Sequence, residues 1–124
     1  MKNQYACALA AILLAIAFAA AIANYMYVEN TAESILDSID ALPADITDAS
    51  ESVNRIRDEW KKRRHVLDLT LSKPALDKVS LLIDELDIAA THHADSDYKT
   101  AMARLRRAIE DIRDPERILI RNIF

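Results

Sequence analysis

Eighteen consecutive apolar residues, from Ala6 to Ala23, constrain this chain more than any other feature. The low-charge residues that follow, up to Val28, extend the stretch to about 23 residues, which as a helix can cross about 30 Å of hydrocarbon. Tyr5 and Tyr25 flank the block at positions where aromatic rings lie in the membrane interface. Residues 1–28 are therefore predicted to form a short N-terminus and a transmembrane anchor.

The same block has the features of a cleaved signal peptide. Lys2 places a positive charge ahead of it, and Ala21-Ile22-Ala23 has the small-x-small pattern of a processing site. Cleavage near Ala23 would release the rest of the chain as a secreted protein. Both interpretations stay open at the level of the sequence.

Charge predicts how an anchored chain would be oriented, because positive residues close to a membrane span are retained in the cytoplasm. Lys2 precedes the apolar block, whereas residues 29–54 contain seven acidic side chains and no basic one. We therefore expect a single-pass protein of the cytoplasmic membrane, with its N-terminus inside the cell and its C-terminal domain outside.

The chain has no glycine among its 124 residues. Glycine supplies left-handed turns, strand bulges and phosphate-binding loops, so its absence disfavours sheets and glycine-rich nucleotide sites. Alanine, leucine, arginine and glutamate, which favour helices, are abundant instead. The composition predicts an all-α fold.

Beyond the apolar block, hydrophobic residues recur at helical spacing in four successive stripes. The first stripe predicts a stalk helix over residues 29–43, ending at Pro43. Asn30 and Glu33 have the spacing of a capping box, which would start a separate helix at Asn30. The alternative is one helix continuous with the anchor, and the spacing does not decide between them.

The other three stripes lie in residues 44–124, which are predicted to form a small extracytoplasmic bundle. The second runs from Ile46 to about Leu71, the third follows the predicted N-cap Ser72, and the fourth begins near Asp95 and ends before Pro115. Connections of about two to four residues favour antiparallel neighbours. The predicted architecture is an N-terminal transmembrane helix followed by an antiparallel helical bundle or helical hairpins.

The last seven residues, Ile118 to Phe124, are strongly apolar for a chain terminus. We expect this tail to dock on the bundle or on a partner, since burying one large apolar side chain stabilises a fold by about 1.5–3 kcal/mol. The predicted core or interface residues are Trp60, Leu82, Leu86, Leu105, Ile109, Ile112, Leu119, Ile123 and Phe124.

A family resemblance follows from the order of these features. It is carried by Trp60, Leu82 to Leu86, Leu105, Ile109, Ile112, Glu116, Leu119 and Asn122 to Phe124. With these residues the chain resembles an uncharacterised family of small single-pass membrane proteins of Gram-positive, mostly clostridial, bacteria, domain of unknown function 4363. Family members often have a histidine with acidic neighbours where this chain has Ser72-Lys73-Pro74. The resemblance implies a fold and a topology, and no activity.

No motif for catalysis or cofactor binding occurs in the sequence, which lacks CxxC, HExxH and phosphate-loop patterns. We therefore predict no enzymatic activity, no cofactor and no metal site. His92 and His93, near Asp95 and Asp97, could bind a divalent ion weakly. Adjacent histidines point about 100° apart on a helix, however, and we interpret them as a polar helix end.

The basic run Lys61-Lys62-Arg63-Arg64 suggests an anionic partner. Nucleic acid is disfavoured, because the chain after the apolar block is acidic, with 15 basic and 20 acidic residues. A second helix folding back along an unbroken stalk would bring these four residues roughly level with the membrane surface. Lys61, Lys62, Arg63 and Arg64 are therefore candidates for contact with lipid headgroups, although a solvated helix face also explains them.

Two functions of different class follow from these observations. The first is a membrane-anchored helical interaction module, or accessory subunit of a membrane complex, whose partners are membrane lipid and another membrane protein or a second copy of itself. The alternative is a secreted helical bundle, released near Ala23, that binds a small ligand or scaffold.

Overall fold

The computed structural model describes residues 2–114 and shows an all-α protein, which confirms the predicted fold class. Four α-helices make up most of this part of the chain, and it contains no strand. Their bounds are α1, Lys2–Asp40; α2, Ala49–Leu67; α3, Lys73–Thr91; and α4, Asp95–Arg113, with a short 3₁₀ helix at Ile46–Asp48 before α2.

Helix α1 is a single helix of 39 residues, about 58 Å long. Asn30 lies in its interior, so the capping-box pattern does not start a new helix and the alternative of a continuous helix is correct. Residues 2–40 contain neither glycine nor proline. The helix ends at Asp40, a turn follows, and Pro43 lies just beyond that turn. The predicted anchor and the predicted stalk are thus two parts of one element.

The second half of α1 is a member of the bundle and not a separate spacer. In the four-helix bundle, α1 packs against α2 and α4. Helix α3 packs against the same two helices from the opposite side. Thr31, Ala32, Ile35 and Ile39 of α1 are all buried. The stalk predicted for residues 29–43 therefore differs from the observed structure, because its apolar stripe is buried against α2 and α4.

The turn between α3 and α4 takes a conformation that usually requires glycine. His93 has a φ of 54°, in the left-handed region. The backbone N–H of Ala94 donates to the carbonyl of Ala89 at 3.0 Å, and that of His93 donates to the carbonyl of Ala90 at 3.4 Å. This is the Schellman pattern that closes a helix C-terminus, with histidine at the position of the missing glycine.

Tyr98 ties α4 to the connection between α1 and α2. Its ring is buried, and its hydroxyl donates a hydrogen bond of 3.2 Å to the carbonyl oxygen of Pro43. Burial raises the pKa of the Tyr98 phenol above its ordinary value of 10.0. At the same end, the backbone N–H of Thr47 donates to Asp45, caps the 3₁₀ helix and lowers the pKa of that carboxyl.

Candidate functional site

The N-terminal part of α1 projects from the bundle. Residues 2–23 are all exposed, and we call them the exposed arm. Among the described residues, α1 is the one helix that is long and apolar enough to cross a membrane. None of the residues in its most apolar stretch is buried. A signal sequence near an N-terminus has the same character, so the geometry defines a candidate span.

The bundle begins immediately after the exposed arm. The hydroxyl of Thr70, in the connection between α2 and α3, donates a hydrogen bond of 2.7 Å to Oδ1 of Asn24. Leu71 of the same connection lines a cavity of about 110 Å³ together with Tyr25 and Ile112. Residues 68–72 and the last turn of α4 therefore surround α1 just beyond the apolar block, and we call this end the base of the bundle.

Arg63 is turned towards α1. Its Nη1 donates a hydrogen bond of 3.1 Å to Oγ1 of the buried Thr31, and its Nε pairs with Oε1 of Glu59 at 3.2 Å. Ser34 of α1 donates a hydrogen bond to the same oxygen of Glu59. The α1–α2 contact therefore contains a polar cluster in which the charge of Arg63 is matched within the bundle.

Arg64 is turned towards α3. Its Nη2 lies 2.5 Å from Oδ1 of Asp77, and its Nη1 donates to the hydroxyl of Ser80 at 2.6 Å. The indole Nε1 of Trp60, one turn earlier in α2, donates to the same hydroxyl at 2.9 Å. Trp60 is itself buried, with 3% of its surface exposed, so this part of α2 is fixed on α3 by both packing and polar contacts.

The four members of the basic run thus have different surroundings. Lys61 and Lys62 are exposed, whereas Arg63 and Arg64 are half-buried and hold neighbouring helices. The sequence indicates that four successive helical residues spread around the helix. It does not indicate that Arg63 meets a hydroxyl of α1 or that Arg64 meets a carboxylate of α3.

The other predicted core residues fall into two groups. Leu82 and Leu86 of α3 and Leu105, Ile109 and Ile112 of α4 are buried in the interior of the bundle. They close the core and do not form an exposed partner surface. Leu119, Ile123 and Phe124, with the rest of the apolar tail, lie outside the described residues.

Several interhelical ion pairs were not singled out in the sequence. Arg57 of α2 pairs with Asp84 and Asp87 of α3 at 3.1 and 3.0 Å, and Arg113 of α4 lies 3.4 Å from Glu29 of α1. Arg106 of α4 also pairs with α1, through Asp40. The spacing of Asp84 and Asp87, three residues apart on one helix face, is a signal from which a shared cation could have been predicted.

A groove of about 420 Å³ lies between the end of α3 and the start of α4, far from the base. It is lined by Glu85, Ile88, Ala89, His92, Ala94, Asp97, Thr100, Ala101 and Arg104. His92 lies in the groove, but within residues 2–114 no three His, Cys, Asp or Glu side chains are placed to hold a metal ion.

Comparison of the chain with protein-family models, with curated proteins and with solved structures finds no match.

Proposed function

We propose that this protein is a membrane-anchored helical interaction module, or an accessory subunit of a membrane complex, without catalytic activity. The observation that supports this most is helix α1, whose exposed apolar arm continues without a break into the buried face of a four-helix bundle. Exposure of an apolar surface of this size to water is unfavourable, whereas its burial in the hydrocarbon of a bilayer is favourable. One helix would then hold the bundle directly on the membrane.

We also propose how the chain is oriented in the membrane and to which protein family it belongs. Lys2 precedes the arm, and acidic residues dominate the chain just after it, which supports an N-terminus inside the cell and a bundle outside the cytoplasmic membrane. Membership of the Gram-positive family named above is part of the same proposal.

The partner we propose is another membrane protein or a second copy of this chain, in addition to membrane lipid. The arm is rich in alanine, and small residues let two helices approach closely within a bilayer, where packing replaces the hydrophobic effect as the driving force. We propose no nucleic-acid partner, because the bundle is acidic.

The alternative, a secreted bundle, is favoured by one specific observation. The first buried residue of the core is Val28, five positions after Ala23, so cleavage near Ala23 would leave the described core intact. Such a free bundle would bind a small ligand or scaffold.

Fractionation of a Gram-positive host expressing the full chain with a C-terminal tag separates these functions. The anchored module predicts a full-length chain by intact mass, retained in membranes after alkaline washing and digested by protease from outside the cell. A soluble product that begins near Asn24 would establish the secreted bundle and contradict the anchor.

The interaction part of the proposal has its own test, for which Cys7 is a convenient probe because it is the single cysteine and is exposed on α1. Oxidation of native membranes would produce a disulfide-linked dimer if two spans pack together, and the Cys7→Ser variant would not form it. A lysine-reactive crosslinker would capture a different membrane partner. A chain that stays monomeric under both treatments would contradict the interaction role.

A further inference from the structure

The connection between α2 and α3 presents a leucine to solvent at the base of the bundle. Leu69 is 81% exposed, more than any other large hydrophobic side chain in residues 2–114, including those of the exposed arm. Val66, three residues earlier, is also exposed. Moving such a side chain from water into an apolar environment is favourable, so the tip of this turn would gain free energy from an apolar contact.

A hydrogen bond made by the next residue, Thr70, fixes the level of Leu69 relative to α1. Thr70 is hydrogen-bonded to Asn24, which is the first polar residue after the apolar block. The 18 residues of that block span about 27 Å as a helix, close to the thickness of the hydrocarbon layer. If the arm crosses a bilayer, residues 68–72 therefore lie at the boundary between acyl chains and headgroups.

The charged residues around the connection favour an anionic surface. Lys61, Lys62 and Lys73 are exposed on either side of it. The two acidic side chains closest in sequence, Asp68 and Asp77, both pair with Arg64 at 3.9 and 2.5 Å. Lysine side chains near a membrane surface are attracted to anionic headgroups while their stems lie along apolar surface.

We propose that the α2–α3 connection is a second membrane contact, in which Leu69 enters the lipid surface beside the anchor and the flanking lysines face anionic headgroups. This inference rests on the proposed anchor and adds to it a defined tilt and rotation of the bundle. A helix held at one point can swivel about its axis, whereas contact at α1 and at residue 69 fixes which face of the bundle is directed away from the membrane.

The test uses two probes on the full chain. Leu69→Cys and Ile88→Cys are made separately in a Cys7→Ser background, labelled with nitrobenzoxadiazole, and reconstituted into vesicles of phosphatidylcholine and phosphatidylglycerol. Ile88 is the matched control, because it is also an exposed aliphatic residue, at 59%, but lies about 22 Å along α3 from its start at the base. Lipids with a doxyl quencher just below the headgroup report contact.

We expect the probe at residue 69 to show blue-shifted emission and quenching at least about twofold stronger than at residue 88, since interfacial insertion reaches the upper acyl carbons. Equal quenching at the two positions in chains that float with the vesicles would overturn the second contact and leave the anchor standing. Blue-shifted emission at residue 69 without lipid quenching would also overturn it, because protein would then cover the leucine. Chains that do not float with the vesicles would contradict both proposals.

Discussion

The indole nitrogen of Trp60 donates a hydrogen bond of 2.9 Å to the hydroxyl of Ser80, and the same hydroxyl accepts a second one of 2.6 Å from Arg64. One small side chain of α3 therefore receives an aromatic and a cationic donor from two successive turns of α2. Since Trp60 is also buried, this contact joins the hydrophobic core to the polar edge of the α2–α3 interface.

Replacing Trp60 with alanine is expected to lower the free energy of unfolding by about 3–5 kcal/mol, because it leaves a large cavity in the core. Urea unfolding of the full chain in detergent, followed by circular dichroism, measures the change. Trp60→Phe is the control, because it keeps most of the packing and loses the hydrogen bond to Ser80, at a smaller cost. An unchanged unfolding midpoint for Trp60→Ala would show that α2 does not pack on α3 as described.

The basic run gives a second prediction, because its members differ in burial. Arg64→Gln is expected to destabilise the bundle by about 1 kcal/mol, since it removes contacts with Ser80 and with the half-exposed Asp77. The double variant Lys61→Gln, Lys62→Gln should stay within about 0.5 kcal/mol of the parent, because both lysines are exposed. The same unfolding assay applies, and equal effects of the two changes would contradict the different roles assigned to arginine and lysine.

Asn30 tests the continuity of α1. It is exposed in the interior of the helix, where alanine is favoured over asparagine by roughly 0.5 kcal/mol. Asn30→Ala is therefore expected to leave stability unchanged or raise it slightly. If Asn30 were an N-cap, the same substitution would cost about 1 kcal/mol. Thermal unfolding of the full chain in detergent distinguishes the two by the sign of the shift.

His93 predicts a stabilising substitution. A residue with a Cβ in the left-handed region destabilises the fold by about 1–2 kcal/mol. Replacing it with glycine removes this cost, but glycine has more conformational freedom in the unfolded chain, which offsets part of the gain in stability. His93→Gly is expected to raise the free energy of unfolding by about 0.5–1 kcal/mol on balance. His93→Ala, which keeps the Cβ, should give no such gain. A loss of stability in His93→Gly would show that the imidazole itself contributes to the turn.

Tyr98 predicts a loss of stability at alkaline pH. The pKa of the Tyr98 phenol is higher in the folded than in the unfolded protein. The neutral phenol therefore contributes fully to stability below the unfolded pKa, and this contribution is lost as the pH rises through the folded pKa. Tyr98→Phe is expected to cost about 1 kcal/mol near neutral pH, through the lost hydrogen bond to Pro43. The difference between parent and variant should shrink above about pH 10. A difference that stays constant up to strongly alkaline pH would contradict the buried, bonded phenol.

Much of the helical layout could be predicted from hydrophobic spacing. The third helix starts directly after the predicted cap Ser72, and the fourth starts at Asp95 as predicted, although the side chain of Ser72 makes no capping hydrogen bond. The second was predicted to start at Ile46 and end near Leu71, but α2 covers only Ala49–Leu67, because a 3₁₀ turn precedes it and a turn follows it. Spacing locates the buried face of a helix better than its ends.

The capping-box pattern at Asn30 was misleading for a physical reason. A local side-chain cap is worth about 1 kcal/mol, whereas the buried face formed by Ala32, Ile35 and Ile39 continues the helix through that position. The partners of Arg63 and Arg64 could not be predicted, because Thr31 and Asp77 lie on different helices and meet them only once the bundle closes.

Hydrogen exchange of the full chain in lipid nanodiscs tests most directly whether one helix is both the membrane span and the first helix of the bundle. The structure predicts slow amide exchange without interruption from about Ala6 to Asp40, with the residues around Asn30 as well protected as their neighbours. Fast exchange over residues 24–31, between two protected segments, would show a hinge between a separate anchor and the bundle. Fast exchange throughout residues 6–23 would show that the arm is not in the bilayer.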